Sequence, residues 1–386
     1  MNEPLRILHV VGGMNRGGAE TWLMHVLRNT DRKRYQMDFL VHTVEKCAYD
    51  DEIRSLGSSI IPCENPSRLT RYVRRFRRIL RDRGPYDVVH SHVHHFSGVT
   101  LWAAAREKVP GRIAHSHSNT HRIEVGAGLA RQTYLKVMEA AISRYATGGI
   151  GCSHGAAGSL FGTDWQEDAR HQIIYCGIDP VAFRQQVDAT TLRREMGISE
   201  DVFVIGHVGR FTPVKNHDFI VDIAAALVQE RKDVHFLLVG DGPLRPTIER
   251  KVESLGLTRH FTFTGMRDDV PRLMMGAIDL FVMPSVYEGL PLVGIEAQAA
   301  GVPLLLSDGV TDELDLAPCQ VRRLSLSAGA NAWSAMIQGW GVMAAESDSP
   351  WSSILTGSRF DISRGVVQIN EMYEAVSNRS AATTSK

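Results

Sequence analysis

Short apolar runs alternate with helical stretches along this chain, and that alternation limits the fold more than any other feature of it. In the first half the runs are residues 5–11 (LRILHVV), 37–42, 59–62, 87–91 and 112–115. A second series (FVIGHVGR, HFLLVG, FTFTG, LFVMPS and VPLLLS) begins near Phe203. Strands separated by helices predict a parallel sheet with helices on both faces, and ligands of such folds bind at the carboxyl ends of the strands. A chain of 386 residues exceeds what one hydrophobic core usually organises. The expected class is therefore α/β, with two doubly wound, Rossmann-like domains in tandem. The polar, strand-free stretch 184–200 places the linker at 182–200.

Hydrophobic residues make up 44% of the chain and charged residues 22%, the balance of a soluble globular protein. No apolar run is long enough for a membrane helix, and MNEP leads straight into a strand-like segment with no signal peptide. The expectation is a cytoplasmic protein. Five cysteines (Cys47, Cys63, Cys152, Cys176 and Cys319) are scattered without a CxxC pair, which fits reduced thiols better than a disulfide framework. Net charge is zero, yet residues 1–180 carry 24 basic against 18 acidic side chains and residues 181–386 carry 19 against 25. Such asymmetry suggests that one half meets an anionic surface.

The chemistry concentrates where the run at 279–283 ends. Pro284 to Glu296 (PSVYEGLPLVGIE) reads as a strand-to-helix corner at Glu288, Gly289 and Leu290. Pro291 is placed at the first helical position. The amides of Leu292 and Val293 are then orphan donors at a helix start, which favours a phosphate. Glu288 before the helix and Glu296 inside it would repel that anion unless each accepts hydrogen bonds from hydroxyls, as the ribose and hexose of a nucleotide sugar supply. Both acids could also be plain structure. Past the strand at 204–208, Gly209 leads to Arg210 and Lys215, a fork and a point charge suited to clamping a diphosphate.

Three further features stand out. Gly12, Gly13, Gly17 and Gly18 form a glycine-rich loop between a strand and a helix, without the spacing of a dinucleotide or Walker fingerprint. His90, His92, His94 and His95 could be taken for a metal site, with the first three sharing a strand face, but no carboxylate or cysteine nearby completes it. In residues 68–83 an apolar stripe (Leu69, Tyr72, Val73, Phe76, Ile79 and Leu80) alternates with eight arginines. A helix packed by that stripe could present Arg71, Arg74, Arg75 and Arg78 to anionic lipid; nucleic acid is a poorer fit, since no aromatic-interleaved basic motif accompanies them.

GRFTPVKN, GDGPL at 240–244, FTG at 263–265 and the stretch 284–301 resemble the retaining glycosyltransferases of family 4, which have the GT-B fold. The loop GGMNRGGAE, VVHSH at 88–92 and AHSHS at 114–118 are similar to that family's N-terminal half, and the whole is most similar to bacterial exopolysaccharide and capsule members. The resemblance implies two Rossmann-like domains facing a central cleft. One comprises residues 1–182 with 361–386, including a final helix near 360–376 that returns to it; the other, donor-binding, comprises residues 200–360. By motif, Arg210 and Lys215 would bind the donor diphosphate, Glu296 the ribose and Glu288 the transferred sugar. Gly209, Gly289, Leu290, Leu292 and Val293 would line the phosphate and sugar, Met266 and Arg267 would hold the base, and Gly17 and Gly18 would close on the phosphate. His117 would reach the donor sugar. No cofactor and no metal are expected, because the nucleotide sugar is a co-substrate and no divalent-ion motif ends a strand.

The implied function is retaining hexosyl transfer from a UDP-linked sugar to a lipid-linked saccharide in exopolysaccharide or capsule synthesis, at the inner face of the membrane. A soluble transferase with a small acceptor is the alternative. A phosphorylase lacks a dedicated phosphate or pyridoxal motif, and a binding-only relative is disfavoured by the complete charged set.

Overall fold

The computed structural model describes residues 3–64, 66–120, 128–342 and 352–383. The chain divides into two compact units, Met1–Gly177 with Ile362–Lys386, and Ile178–Asp361.

In the first unit seven parallel strands, β1 (Leu5–Val11), β2 (Tyr35–Val41), β3 (Ile60–Pro62), β4 (Val88–Ser91), β5 (Gly111–Ser116), β6 (Gly148–Gly151) and β7 (His171–Ile173), stand in the order β3-β2-β1-β4-β5-β6-β7. Strand order reverses between β1 and β4, the switch point at which open α/β sheets bind ligands. Leu8, Val10, Leu40 and Val89 form a core with Tyr72, Phe76 and Leu80 of the helix Leu69–Arg83. β6 and β7 escape the hydrophobic pattern because their sequences are GGIG and HQI. Packing requires those glycines: a Cβ on Gly148 would lie 2.9 Å from Met372, and one on Gly149 2.4 Å from the His171 ring.

The last helix, Ile362–Thr383, belongs to this first unit and buries Tyr373. It continues past the expected end at 376 to Thr383; residues 384–386 lie outside the described ones.

The second unit repeats the plan with β8 (Phe203–Val208), β9 (Val234–Val239), β10 (Phe261–Gly265), β11 (Leu280–Met283), β12 (Leu304–Leu306) and β13 (Val321–Arg323) in the order β10-β9-β8-β11-β12-β13. The expected linker at 182–200 is corrected. The units divide at residue 177, and the helix Ala189–Glu195 is folded into the second unit. Leu192 is fully buried, and Arg193 donates two 2.8 Å bonds to the Asp279 carboxylate. The stretch after Gln320 supplies β13 and the helix Gly329–Gln338, whose Trp333 is buried in the second core. No helix among the described residues is long and apolar enough to cross a membrane.

Candidate active site

In the second unit β8 and β11 are neighbours, so the loops leaving their carboxyl ends run side by side. The β8 loop makes one 3-10 turn, Pro213–Lys215, and leaves it through Asn216 in the left-handed region (φ 56°). Asn216 donates to the Pro284 carbonyl at 3.2 Å, and the Val286 amide donates to the Val214 carbonyl at 2.8 Å. These bonds fix the two loops together and bring Lys215 Nζ within 2.6 Å of Glu288 Oε1, the two side chains being 20% and 12% exposed. The two residues assigned separately to diphosphate and sugar are thus hydrogen-bonded to each other. Arg210 is exposed at the same loop and has no carboxylate partner among the described residues. Gly209 sits where the neighbouring chain passes closely: a Cβ on Gly240 (φ 134°) would lie 2.2 Å from the Gly209 carbonyl. Asp241 bonds the adjacent Gly242 amide at 2.7 Å, as a turn residue does.

The helix after β11 spans Leu292–Ala299, with Pro291 as its N-cap (φ −75°, ψ 108°) rather than its first helical residue. Leu292 and Val293 are the first two helical residues, whose amides have no intrahelical acceptor, and no acidic side chain occupies that first turn. Gly289 and Leu290 are buried beneath it, and the Glu288 amide is tied to the Gly309 carbonyl at 3.2 Å. Glu296 is 8% exposed and no donor among the described residues meets its carboxylate; burial pushes that carboxyl up to about 7. The site therefore offers one unpartnered cation, one paired cation, an anion-friendly helix start and a buried acceptor.

Two histidines here escaped the sequence reading. His207 donates from Nδ1 to the Val282 carbonyl at 2.8 Å, leaving Nε2 as a buried lone pair beneath Gly209. Burial lowers its pKa to about 4. His217 stacks on Phe211 at 3.8 Å, and burial lowers it to about 2. Their inward position on a strand end and a helix start was the available signal. After β10, Met266 is 46% exposed, while Arg267 already grips Asp269 through two bonds of 2.8 and 2.6 Å.

In the first unit Gly17 caps the helix Gly18–Asn29, and Glu20 of its first turn lies against it, Oε2 being 2.3 Å from where a Gly17 Cβ would stand. The expectation that His90, His92 and His94 share a strand face is corrected. β4 stops at Ser91, and His94 turns into a 3-10 segment with φ 49°. The rings instead meet others from neighbouring strands. His9 Nδ1 lies 3.0 Å from His92 Nε2, His92 Nδ1 lies 2.9 Å from His117 Nε2, and His90 bonds His115 at 3.2 Å and the Tyr373 hydroxyl at 2.9 Å. Burial lowers His9 and His117 to about 3 and holds His90, His92 and His115 well below the ordinary histidine range. A chain of neutral rings results. His117, half-buried, turns Nε2 to His92 and Nδ1 towards Cys176 Sγ at 3.8 Å. In the arginine-rich helix Arg75 pairs with Glu64, and Arg77 and Arg81 with Glu107. Arg71, Arg74 and Arg78 are exposed with no acidic partner among the described residues.

Comparison with known proteins shows the family. Residues 16–181 match the description "Glycosyltransferase Family 4" and residues 202–316 match "Glycosyl transferases group 1". EpsF of Bacillus subtilis, whose name carries the transferase class and neither donor nor acceptor, is 38% identical over 335 residues, 86% of each chain. The chain belongs to the family-4 glycosyltransferases. The transferase is also 31% identical over 140 residues to the UDP-Gal:alpha-D-GlcNAc-diphosphoundecaprenol alpha-1,3-galactosyltransferase of Escherichia coli, 35% of this chain and 36% of that one. Its fold is GT-B: HepE of Anabaena, solved in complex with UDP-glucose, superposes with a TM-score of 0.79 at 20% identity, covering 96% of the transferase and 100% of HepE.

Proposed function

We infer that this transferase moves a hexosyl unit from a UDP-sugar to a lipid-linked saccharide at a membrane surface, with retention at the anomeric carbon and without a catalytic metal. The observation that carries the donor half is the Lys215–Glu288 bond of 2.6 Å beside the unpartnered Arg210 and the helix start at Leu292. Arg210, Lys215 and the Leu292 and Val293 amides hold the diphosphate and neutralise the charge that develops on it as the sugar departs. Glu288, steered by Lys215, accepts from the hydroxyls of that sugar, and Glu296 accepts from the ribose. Gly209, Gly289 and Leu290 supply backbone for close approach, and Met266 and Arg267 flank the base. With Glu288 and Glu296 given to hydroxyls, the acceptor hydroxyl attacks on the leaving-group face and passes its proton to the departing phosphate.

Uridine is favoured by the donor named for the E. coli relative. A lipid-linked acceptor is favoured by that relative and by an apolar groove beside the arginine helix, lined by His42, Pro66, Leu69, Val93, Phe96 and Tyr134. Leu69 is 49% exposed there, and Leu129 and Val137 of the helix Leu129–Tyr145 are 84% and 54% exposed. The test is a screen of UDP- and GDP-hexoses by thermal unfolding, followed by transfer to a polyprenyl-diphosphate sugar and NMR of the new linkage. A UDP-hexose should raise the midpoint by mass action and its sugar should be transferred with retained configuration. Stabilisation by GDP-hexoses alone, or an inverted product, would overturn this reading.

A further inference from the structure

β5, β6 and β7 are successive neighbours at one edge of the first sheet. His117 follows β5 directly, Cys152 follows β6 directly, and Cys176 stands three residues past β7. The parallel ladder extends beyond the strands: the Cys152 amide donates to the Ser116 carbonyl at 3.0 Å and the Ile174 amide to the Gly151 carbonyl at 3.1 Å. The three segments are thereby held level, and one imidazole nitrogen and two thiol sulfurs converge within 4.8 Å of one another. None of this is legible in the spacing of the cysteines along the chain.

The His117–Cys176 separation is close to what a metal would ask for. Tetrahedral zinc with Zn–S of about 2.3 Å and Zn–N of about 2.1 Å sets nitrogen and sulfur about 3.6 Å apart, and His117 Nδ1 stands 3.8 Å from Cys176 Sγ. Two sulfurs and one imidazole favour a soft or borderline ion over magnesium or calcium. The sulfurs are almost fully enclosed, Cys152 being 1% and Cys176 4% exposed, whereas His117 is half-buried and gives an ion a way in.

The surroundings also suit a metal-bound imidazole, which normally donates its other ring N–H to a fixed acceptor. His117 bound through Nδ1 would carry its proton on Nε2, 2.9 Å from His92 Nδ1, and His92 would in turn donate from Nε2 to His9 Nδ1 at 3.0 Å. The histidine chain accommodates that tautomer of His117, with Nδ1 presented to the two sulfurs.

We propose that His117, Cys152 and Cys176 form a site for one zinc ion, with water in the fourth position. Binding replaces two S–H protons by two Zn–S bonds and adds one Zn–N bond, releasing two protons to solvent. The ion ties together the loops that follow three strands and holds His117 through Nδ1. It takes no part in the diphosphate chemistry assigned to the second unit, and the proposal stands whatever the donor and acceptor are.

The test uses the full chain, reduced with a phosphine, stripped by chelator and titrated with Co2+ as a spectroscopic probe. A thiolate-to-cobalt charge-transfer band with visible bands of four-coordinate cobalt should saturate at one equivalent and be bleached by Zn2+. Cys152→Ser and Cys176→Ser should each remove the charge-transfer band, and Cys319→Ser, at an exposed cysteine of the second unit, should leave it unchanged. Because two protons leave, apparent affinity should fall by about 100-fold per pH unit on acidification below the thiol range. Absence of a saturable thiolate band from the wild-type chain overturns the proposal without any variant having to fold. Persistence of the band in both folded cysteine variants overturns it as well.

Discussion

Lys215 Nζ stands 2.6 Å from Glu288 Oε1, joining the loops that leave two neighbouring parallel strands. In the proposed site the bond would neutralise an acid that otherwise repels a diphosphate and would orient that acid for the hydroxyls of the sugar. Lys215→Ala should lower turnover by two or more orders of magnitude, about 3 kcal/mol of transition-state stabilisation. It should also cost about 1–3 kcal/mol in stability, since a largely buried carboxylate loses its partner. Adding Glu288→Gln should return much of the stability and none of the turnover. Urea unfolding alongside steady-state rates separates the two effects, and wild-type turnover by Lys215→Ala would remove the lysine from the mechanism.

Glu296 gives a pH signature to donor binding. In the proposed site its carboxyl, pushed up to about 7 by burial, would accept ribose hydroxyls best when ionised. UDP-glucose has no phosphate group titrating near neutrality, so a change in its affinity there reports the protein. Affinity should rise about tenfold between pH 6 and pH 8, the span of one shifted carboxyl. Glu296→Gln should flatten the profile. A wild-type profile already flat in calorimetry would exclude the ribose contact.

The buried imidazoles make the first unit sensitive to acid. Their folded pKa values lie below the unfolded value of 6.5, with His9 and His117 at about 3. Between those limits the unfolded chain binds more protons than the native one, so their contribution is complete above pH 6.5 and declines as pH falls towards 3. Each such histidine contributes a slope approaching about 1.4 kcal/mol per pH unit. Glu296 works in the opposite sense, losing stability as pH rises from 4.5 to about 7, but it is one group against the five histidines of the first unit and His207 and His217 of the second. Unfolding free energies should fall steeply from pH 6.5 to pH 4.5, and His9→Asn should shallow the slope if it folds. Equal stability at both ends of that range would refute the neutral cluster.

Arg71, Arg74 and Arg78 project from a helix that Tyr72, Phe76 and Leu80 anchor in the core. Replacing all three by glutamine should leave the midpoint of unfolding within about 1 kcal/mol of wild type, as expected for exposed sites. It should weaken binding to anionic vesicles by about 1 kcal/mol per arginine, read by co-sedimentation at low and high salt. Undiminished binding by the triple variant would place the membrane contact elsewhere.

The sequence by itself determined the two parallel sheets, because runs such as LRILHVV and LFVMPS are predominantly apolar and need cover on both faces. It also determined the corner from Glu288 to Glu296 and the position of Arg210 and Lys215 at a strand end, since both rest on contiguous residues. β6 was illegible because close packing there calls for glycine instead of β-branched residues, β7 because it is a three-residue strand, HQI, with two polar side chains, and the helix Ala189–Glu195 was hidden by its polar surface. The tertiary structure alone decided that Lys215 meets Glu288, which lies 73 residues away. It alone brought His9, His92, His117, Cys152 and Cys176 together from the ends of five parallel strands. A parallel sheet aligns the carboxyl ends of strands that are distant along the chain, and local pattern carries no record of that alignment.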